Sequence, residues 1–189
     1  PYLYNRLAPM QQCNNVPPGQ QLVITPSEEM NVAAAVAQKV TPTVVRISTV
    51  TVERDLFFGK RSYEGVGSGV IIDSNGYILT NAHVVGENPK ELTVFFKDGR
   101  ELRGKVMWKD SLLDLAVVKV EATGLSAAEL GDSDSLIVGE ISIAIGNPLG
   151  MRFERTVTQG IVSGLNRSIM VEQGSVMEDL IQTDAAINP

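Results

Sequence analysis

The residues best suited to catalytic chemistry are a histidine and an aspartate in two separate apolar segments. His83 stands in "YILTNAHVV" and is the single histidine among 189 residues, so imidazole chemistry near neutral pH must use it. Asp114 stands in "SLLDLAVVKV", at the start of an otherwise apolar run, where a carboxylate is costly to bury without a partner. If the two residues meet, the carboxylate accepts the Nδ1–H hydrogen bond, fixes the imidazole tautomer and stabilises the imidazolium.

Each residue also has an ordinary structural interpretation. A histidine at a strand end commonly donates to a backbone carbonyl, and an aspartate such as Asp114 often closes a turn before a strand. A metal site is not indicated, because no second histidine exists to share a ligand set. Cys13 is the single cysteine, which excludes an internal disulfide and a cysteine-based zinc site. We therefore expect no metal and no cofactor.

The elements that must position this pair are short strands joined by tight turns. Asn75-Gly76 and Asp98-Gly99 each join two apolar runs and predict two-residue hairpins, in which both central residues need positive φ. About six strands fall between residues 43 and 120, enough to close a barrel, but only about three fall between 140 and 182. This pattern predicts an all-β protein with one complete barrel and a second that is incomplete.

A different pattern precedes the strands. Residues 1–24 are rich in Pro, Gln and Asn and predict an extended arm or linker, with Tyr2, Leu3 and Tyr4 as possible docking groups. A capping-box spacing that begins at Thr25 predicts a helix, which Pro42 should end. The predicted division is an arm at 1–24, a helix at 25–41, a first barrel at 42–130 and an incomplete second barrel at 131–189.

Composition narrows the class of protein. The chain is 43% hydrophobic and 20% charged, as is usual for a globular protein, and its formal net charge is −6. We see no basic cluster suited to a phosphate backbone, so nucleic acid is not an expected partner. No apolar run reaches the ~18 residues of a membrane span, and no signal peptide is evident. Because the sequence starts on Pro1 and stops on Pro189, we expect it to be a piece of a longer chain.

Several longer motifs resemble one family. From about residue 32 to the last residue, the chain resembles the protease domain of the HtrA/Deg family of trypsin-like serine proteases. The motifs that carry the resemblance, in chain order, are "GSGVII", "GYILTNAHVV", "DLAVVKV", "LGDSDSL", "GEISIAIGNPLG", "TVTQGIVSG" and "IQTDAAINP". The resemblance implies a trypsin/chymotrypsin-like double β-barrel with a short N-terminal helix. It also implies that His83 and Asp114 are catalytic.

The resemblance further implies where the nucleophile should be. In the family, Gly-Asn-Ser-Gly-Gly follows "DAAINP", so the expected serine and oxyanion hole would come after Pro189, and the 189-residue fragment itself should be inactive. Other serines are poor candidates: the glycines flank Ser68 directly instead of standing two residues away on each side, and Ser133 and Ser163 lie in a polar turn and a strand. The resemblance places Ala186 and Ile187 at the substrate pocket, with Ala186 as its uncharged base. Asp184 is a competing candidate that we expect to pair with backbone.

The family also implies a setting and partners. Its members act outside the cytoplasm on misfolded or damaged polypeptides, as in protein quality control during stress, typically form trimers, and usually carry PDZ domains. The expected location is therefore the bacterial periplasm or cell envelope, with a membrane anchor before the arm as an option. "RDLFFGKRSYE" is compatible with an exposed regulatory loop, in which Phe57 and Phe58 pack on a neighbouring subunit or on the barrel. The alternative is a catalytically dead chaperone-like or binding protein on the same scaffold.

Overall fold

A computed structural model describes residues 26–55, 59–147, 155–170 and 176–187. The predicted arm at 1–24, with Tyr2, Leu3, Tyr4 and Cys13, lies outside these residues, as do Phe57 and Phe58. The first described element is helix α1 (Pro26–Val40), followed by a 3-10 turn at Thr41–Thr43. None of the described helices has the length and apolar character needed to cross a membrane.

Six antiparallel strands close a barrel in the order β1-β2-β3-β6-β5-β4. Their bounds are β1 (Val44–Asp55), β2 (Gly59–Asp73), β3 (Tyr77–Thr80), β4 (Glu91–Phe95), β5 (Glu101–Asp110) and β6 (Leu115–Val120). Alternation along β6, where Ala116, Val118 and Val120 are fully buried, points one face of the strand inward. The first barrel is therefore complete, as its strand count predicted.

Three further strands form a second sheet in the order β7-β8-β9: β7 (Ile141–Gly146), β8 (Thr156–Met170) and β9 (Val176–Thr183). Asn147 connects this sheet to the first barrel. Its side chain is buried and donates from Nδ2 to the Val45 carbonyl at 2.9 Å, while its backbone N–H donates to Ser68 Oγ at 2.8 Å. The fold is thus all-β with a short helix, one closed barrel and a partial second one.

The two glycine turns differ from the sequence-based prediction. Each has three residues between the paired positions, because Gly76 N–H donates to Asp73 O and Gly99 N–H donates to Phe96 O. The glycines have φ of 97° and 87°, whereas Asn75 and Asp98 do not have positive φ. The prediction of two-residue hairpins was therefore wrong: these are three-residue loops with glycine at the left-handed position.

The region predicted as an exposed loop at residues 54–64 is also different. Strand β1 continues to Asp55 and β2 begins at Gly59, and the two strands remain paired out to that end of the barrel. Most of the segment therefore belongs to the paired ends of β1 and β2.

Candidate active site

The histidine stands on a single helical turn directly after β3. Helix α2 (Ala82–Val85) buries Ala82, Val84 and Val85 and leaves His83 exposed. Thr80, the last residue of β3, is buried and donates from Oγ1 to the Ser68 carbonyl at 2.7 Å. The turn therefore begins from a strand end that is held in place, and the apolar residues on either side of His83 hold it against the barrel.

Two contacts hold α2 against β1 and β2. The buried Thr49 hydroxyl donates to the Val84 carbonyl at 3.1 Å. A Cβ on Gly67 would stand 2.4 Å from Val84 Cγ2, so glycine is needed there for the helix to approach the strand. This explains one of the small residues in "GVGSG", which therefore serves packing of the histidine-bearing turn.

Asp114 reaches the histidine through strand pairing. Strands β3 and β6 are antiparallel, with Thr80 opposite Ala116, so the residues just after β3 lie beside those just before β6. Asp114 has φ of 51°, a left-handed conformation that non-glycine residues adopt at a cost in free energy. The barrel register, and not proximity in sequence, brings the two residues together.

The two side chains make a close pair. His83 Nδ1 lies 2.7 Å from Asp114 Oδ2, and the His83 backbone N–H donates to Asp114 Oδ1 at 3.0 Å. The His83 side chain is 71% exposed against 35% for Asp114, so the opposite ring edge, which carries Nε2, is open to an incoming group. With Nδ1–H donated to the carboxylate, Nε2 is left as the proton acceptor.

The electrostatics of Asp114 favour its anion. Partial burial by itself would raise the pKa of this carboxyl. The hydrogen bonds from the His83 backbone and ring, the charge of the ring and a hydrogen bond from Asn81 together outweigh burial and hold the pKa of Asp114 below its usual value. The carboxylate therefore stays ionised near neutral pH.

Asn81 was not among the predicted site residues. Its side-chain Nδ2 donates to the Asp114 carbonyl at 3.0 Å and to Asp114 Oδ2 at 3.1 Å. The residue stands two positions before His83 in "TNAHVV", so it was visible in the same motif. Its contact with a residue 33 positions away had no local signal.

The predicted pocket residues lie elsewhere, just after β9 on the second sheet. Thr158 Oγ1 donates to the Ala186 carbonyl at 2.7 Å, and Ala185 is buried. Asp184 Oδ1 accepts a hydrogen bond from the Ile161 backbone at 2.7 Å, as expected for a residue that pairs with backbone. Ala186 and Ile187 are exposed. The segment is thus held by its carbonyl and by Asp184, with these two side chains free for contacts.

The other serines considered as nucleophiles make hydrogen bonds or lie in turns, and the possible metal ligands in the described part of the chain are not clustered. Ser68 Oγ accepts the Asn147 N–H, and Ser163 Oγ donates to the Ile161 carbonyl at 3.5 Å. Ser133 begins a 3-10 turn. Among the residues that the structure describes, no group of three or more His, Cys, Asp or Glu side chains could hold a metal ion. The described chemistry therefore centres on the imidazole–carboxylate pair.

Residues 67–189 match the family described as a trypsin-like peptidase domain. With a closed six-stranded barrel that carries a histidine–aspartate pair, the chain belongs to this family of trypsin-like peptidases. Its relatives are serine proteases of the HtrA/Do type.

Three relatives show the similarity. The putative serine protease HhoB of Synechocystis sp. is 45% identical, over 86% of this chain and 43% of its own length. The probable periplasmic serine protease do/HhoA-like of Haemophilus influenzae is 40% identical, over 85% of this chain and 40% of its own length. The serine protease Do-like HtrB of Bacillus subtilis is 42% identical, over 82% and 36%.

Solved structures of HtrA-type proteases are similar to this chain as well. The HtrA-type protease AlgW with a decapeptide superimposes with a TM-score of 0.68 at 34% identity, over 83% of this chain and 52% of that one. AlgW with a tripeptide gives a TM-score of 0.69 at 36% identity, over 83% and 47%. The chain therefore spans about half of these structures, and about two-fifths of the length of the curated relatives it matches.

Proposed function

We propose that the protein containing this chain is a serine endopeptidase of the HtrA/Deg type, which cleaves misfolded or damaged polypeptides outside the cytoplasm. The observation that carries the proposal is the 2.7 Å approach of His83 Nδ1 to Asp114 Oδ2. An exposed imidazole with an ionised carboxylate behind it has the geometry of a general base with its orienting partner.

In this mechanism His83 is the general base and Asp114 holds its ring. Nε2 takes the proton from a serine hydroxyl as the serine oxygen attacks the peptide carbonyl. The same proton passes to the leaving amine as the C–N bond breaks, and an acyl-enzyme ester remains. Nε2 then deprotonates a water molecule that attacks the ester, and it returns that proton to the serine oxygen as the C–O bond breaks and the acid product leaves. The family resemblance supports a serine in Gly-Asn-Ser-Gly-Gly after Pro189, so the 189-residue chain by itself should not turn over peptides.

The pocket chemistry follows from Ala186 and Ile187. Neither side chain carries a charge that could pair with Lys or Arg, and Asp184, the nearest carboxylate in sequence, already accepts a backbone hydrogen bond. We therefore propose that the pocket prefers small or medium aliphatic side chains before the cleaved bond. The pinned Ala186 carbonyl keeps the segment in place while substrate binds.

The proposal extends to location and assembly. One relative is named a periplasmic serine protease, which supports action in the periplasm or cell envelope. Trimer formation, a membrane anchor and a following PDZ domain rest on the family resemblance. Light scattering of the full-length protein tests the trimer: a monomeric mass at micromolar concentration would contradict it.

The decisive experiment uses the protein translated from the complete gene. We expect a fluorophosphonate probe to label a serine beyond Pro189 and unfolded casein to be cleaved. His83→Ala should lose both activities, because the serine then has no base. The matched control is Lys90→Ala, a change at an exposed side chain in the loop after α2.

The alternative is a chaperone-like or binding protein on the same scaffold. It predicts no labelling and no cleavage, together with suppression of aggregation of an unfolded client. That result would also show that His83 and Asp114 are retained for structure. Labelling that survives His83→Ala would contradict the proposed role of the histidine but not the presence of a nucleophile.

A further inference from the structure

Asn81 occupies the position that normally caps the following helix, yet its side chain is used elsewhere. It precedes α2 with extended backbone angles (φ −85°, ψ 150°) and makes no side-chain capping hydrogen bond. An asparagine at an N-cap usually accepts a hydrogen bond from the second or third helical N–H. Here Asp114 Oδ1 accepts the N–H of His83, the second helical residue. Asp114, in the turn before β6, thus caps the helix, and the Asn81 side chain is not needed as a cap.

The orientation of the Asn81 amide follows from its partners. Nδ2 lies 3.0 Å from the Asp114 carbonyl oxygen and 3.1 Å from Oδ2. A backbone carbonyl oxygen and an ionised carboxylate oxygen both accept and neither donates, so the NH₂ group must face them. One amide group therefore contacts the backbone and the side chain of the same residue.

Both contacts help to place the Asp114 carboxylate where the imidazole can donate to it. Asp114 is held at φ 51°, and a hydrogen bond to its carbonyl stabilises this otherwise costly backbone conformation. The second hydrogen bond reaches Oδ2, the same oxygen that receives His83 Nδ1. Without Asn81, only the backbone N–H and the ring of His83 hold the carboxylate among the described residues, so it is freer to rotate away from the ring.

We propose that Asn81 is a positioning residue that holds the backbone and the carboxylate of Asp114 so that Oδ2 faces His83 Nδ1. This inference rests on the proposed function. It differs from a helix-cap role in one testable respect: serine and aspartate replace asparagine at an N-cap with little loss, but neither can do what Asn81 does here. Serine is too short to reach Asp114, and aspartate brings an acceptor and a negative charge where a donor is required.

The test uses the full-length protein with Asn81→Ser and Asn81→Asp. The matched controls are Asn88→Ser and Asn88→Asp at an exposed residue in the loop after α2, which change the same atoms and charge. We expect Asn81→Ser to lower kcat about 10- to 100-fold, the range for a lost hydrogen bond to a charged group, while KM and the melting temperature stay close to wild type. The Asn88 variants should keep the wild-type kcat and KM, although Asn88→Ser costs some stability because φ of Asn88 is 52°.

Asn81→Asp should also change the pH profile of kcat/KM. The added carboxylate favours the imidazolium of His83, so the acid limb should move to higher pH. If either Asn81 variant keeps the wild-type kcat and acid limb, Asn81 does not position Asp114 and the proposal is overturned. If Asn81→Asp does not fold, Asn81→Ser carries the test without any change in charge.

A readout that does not need turnover separates this inference from the proposed function. In ¹⁵N-labelled protein, the downfield Nδ1–H resonance of His83 should broaden or disappear in Asn81→Ser and remain in Asn88→Ser. An unchanged resonance would refute the positioning role even in an inactive protein. Conversely, absence of labelling and cleavage in the wild type would refute the peptidase and leave the resonance test standing.

Discussion

At the scale of single residues, the site is organised around Asp114. Its carboxylate accepts hydrogen bonds from the His83 backbone N–H and the Asn81 amide, and Oδ2 also faces His83 Nδ1. This arrangement sets the imidazole so that Nδ1 is occupied and Nε2 is available. The chemistry therefore depends on the charge and the acceptor capacity of one carboxylate.

We expect Asp114→Asn to abolish most activity of the full-length protein. An amide of the same shape can donate to Nδ1, which leaves the proton on Nε2 and removes the base; the comparable change in trypsin lowers kcat about 10,000-fold. The measurement is kcat/KM on a peptide substrate. Asp110→Asn is the matched control, because its Oδ1 accepts the N–H groups of Leu112 and Leu113 in the same turn. Wild-type activity in Asp114→Asn would refute the assignment.

The lowered pKa of Asp114 also predicts a pH dependence of stability. A carboxyl whose pKa is lower in the folded state stabilises the fold above its unfolded pKa, here 3.8, and loses this contribution as pH falls through the folded pKa. We expect the difference in free energy of unfolding between wild type and Asp114→Asn to be largest near neutral pH and to shrink at pH values below 3.8. Urea unfolding across pH measures it. A difference that grows toward low pH would contradict the lowered pKa.

At the scale of elements, turns and close approaches position the strands that carry the site. Gly76 closes the β2–β3 turn with φ of 97°, and its carbonyl accepts the Val120 N–H at the end of β6. A Cβ there would stand 2.4 Å from the Val120 carbonyl oxygen. The turn therefore locks together β3 and β6, the two strands that carry His83 and Asp114 at their other ends.

The two glycine turns offer a matched pair of substitutions. Gly99→Ala adds a Cβ with nothing within 4 Å, so it should cost only the left-handed conformation, roughly 1–2 kcal/mol. Gly76→Ala has the same backbone cost plus the clash with Val120, for about 1–3 kcal/mol more. Urea denaturation of the full-length protein measures both. Equal losses would mean that the β2–β3 turn is not packed against β6 as described.

At the scale of the whole molecule, the two halves differ in burial. The barrel has a continuous core that includes Ile47, Ile78, Val94 and Val118, all fully buried. On the second sheet, large apolar side chains are half or more exposed at Ile169, Met170 and Val176. In the sheet order β7-β8-β9, the two outer strands each pair with one neighbour among the described residues. Such edges and faces favour association.

We expect a chain ending at Pro189 to aggregate with increasing concentration and to bind a hydrophobic dye, whereas the full-length protein does neither. The apolar surface of the second sheet has no cover within the described residues, and burial by self-association is then favourable. Light scattering and dye fluorescence measure this. A sharp, reversible thermal transition that includes both halves of the 189-residue chain would contradict it.

The strands, the closed first barrel and the candidate histidine could be predicted from sequence, because each depends on a pattern of neighbouring residues. Alternating β-branched residues predicted the strands, and the strand count predicted a closed first barrel and a partial second one. A single histidine in a motif-bearing segment identified the residue to examine. The loop lengths at Gly76 and Gly99 were missed, because the same dipeptides are compatible with two-residue and three-residue turns.

The strand pattern, the one available imidazole and the family resemblance could be read from the amino-acid sequence alone, since each depends on residue types at short spacing. Which atoms meet depends on how the strands pair in three dimensions. Barrel register set Thr80 opposite Ala116 and so brought His83 to Asp114. It also turned the Asn81 amide away from its own helix and toward Asp114, a contact across 33 residues. No local pattern encodes such a contact, because it depends on how separate strands pair when the barrel closes.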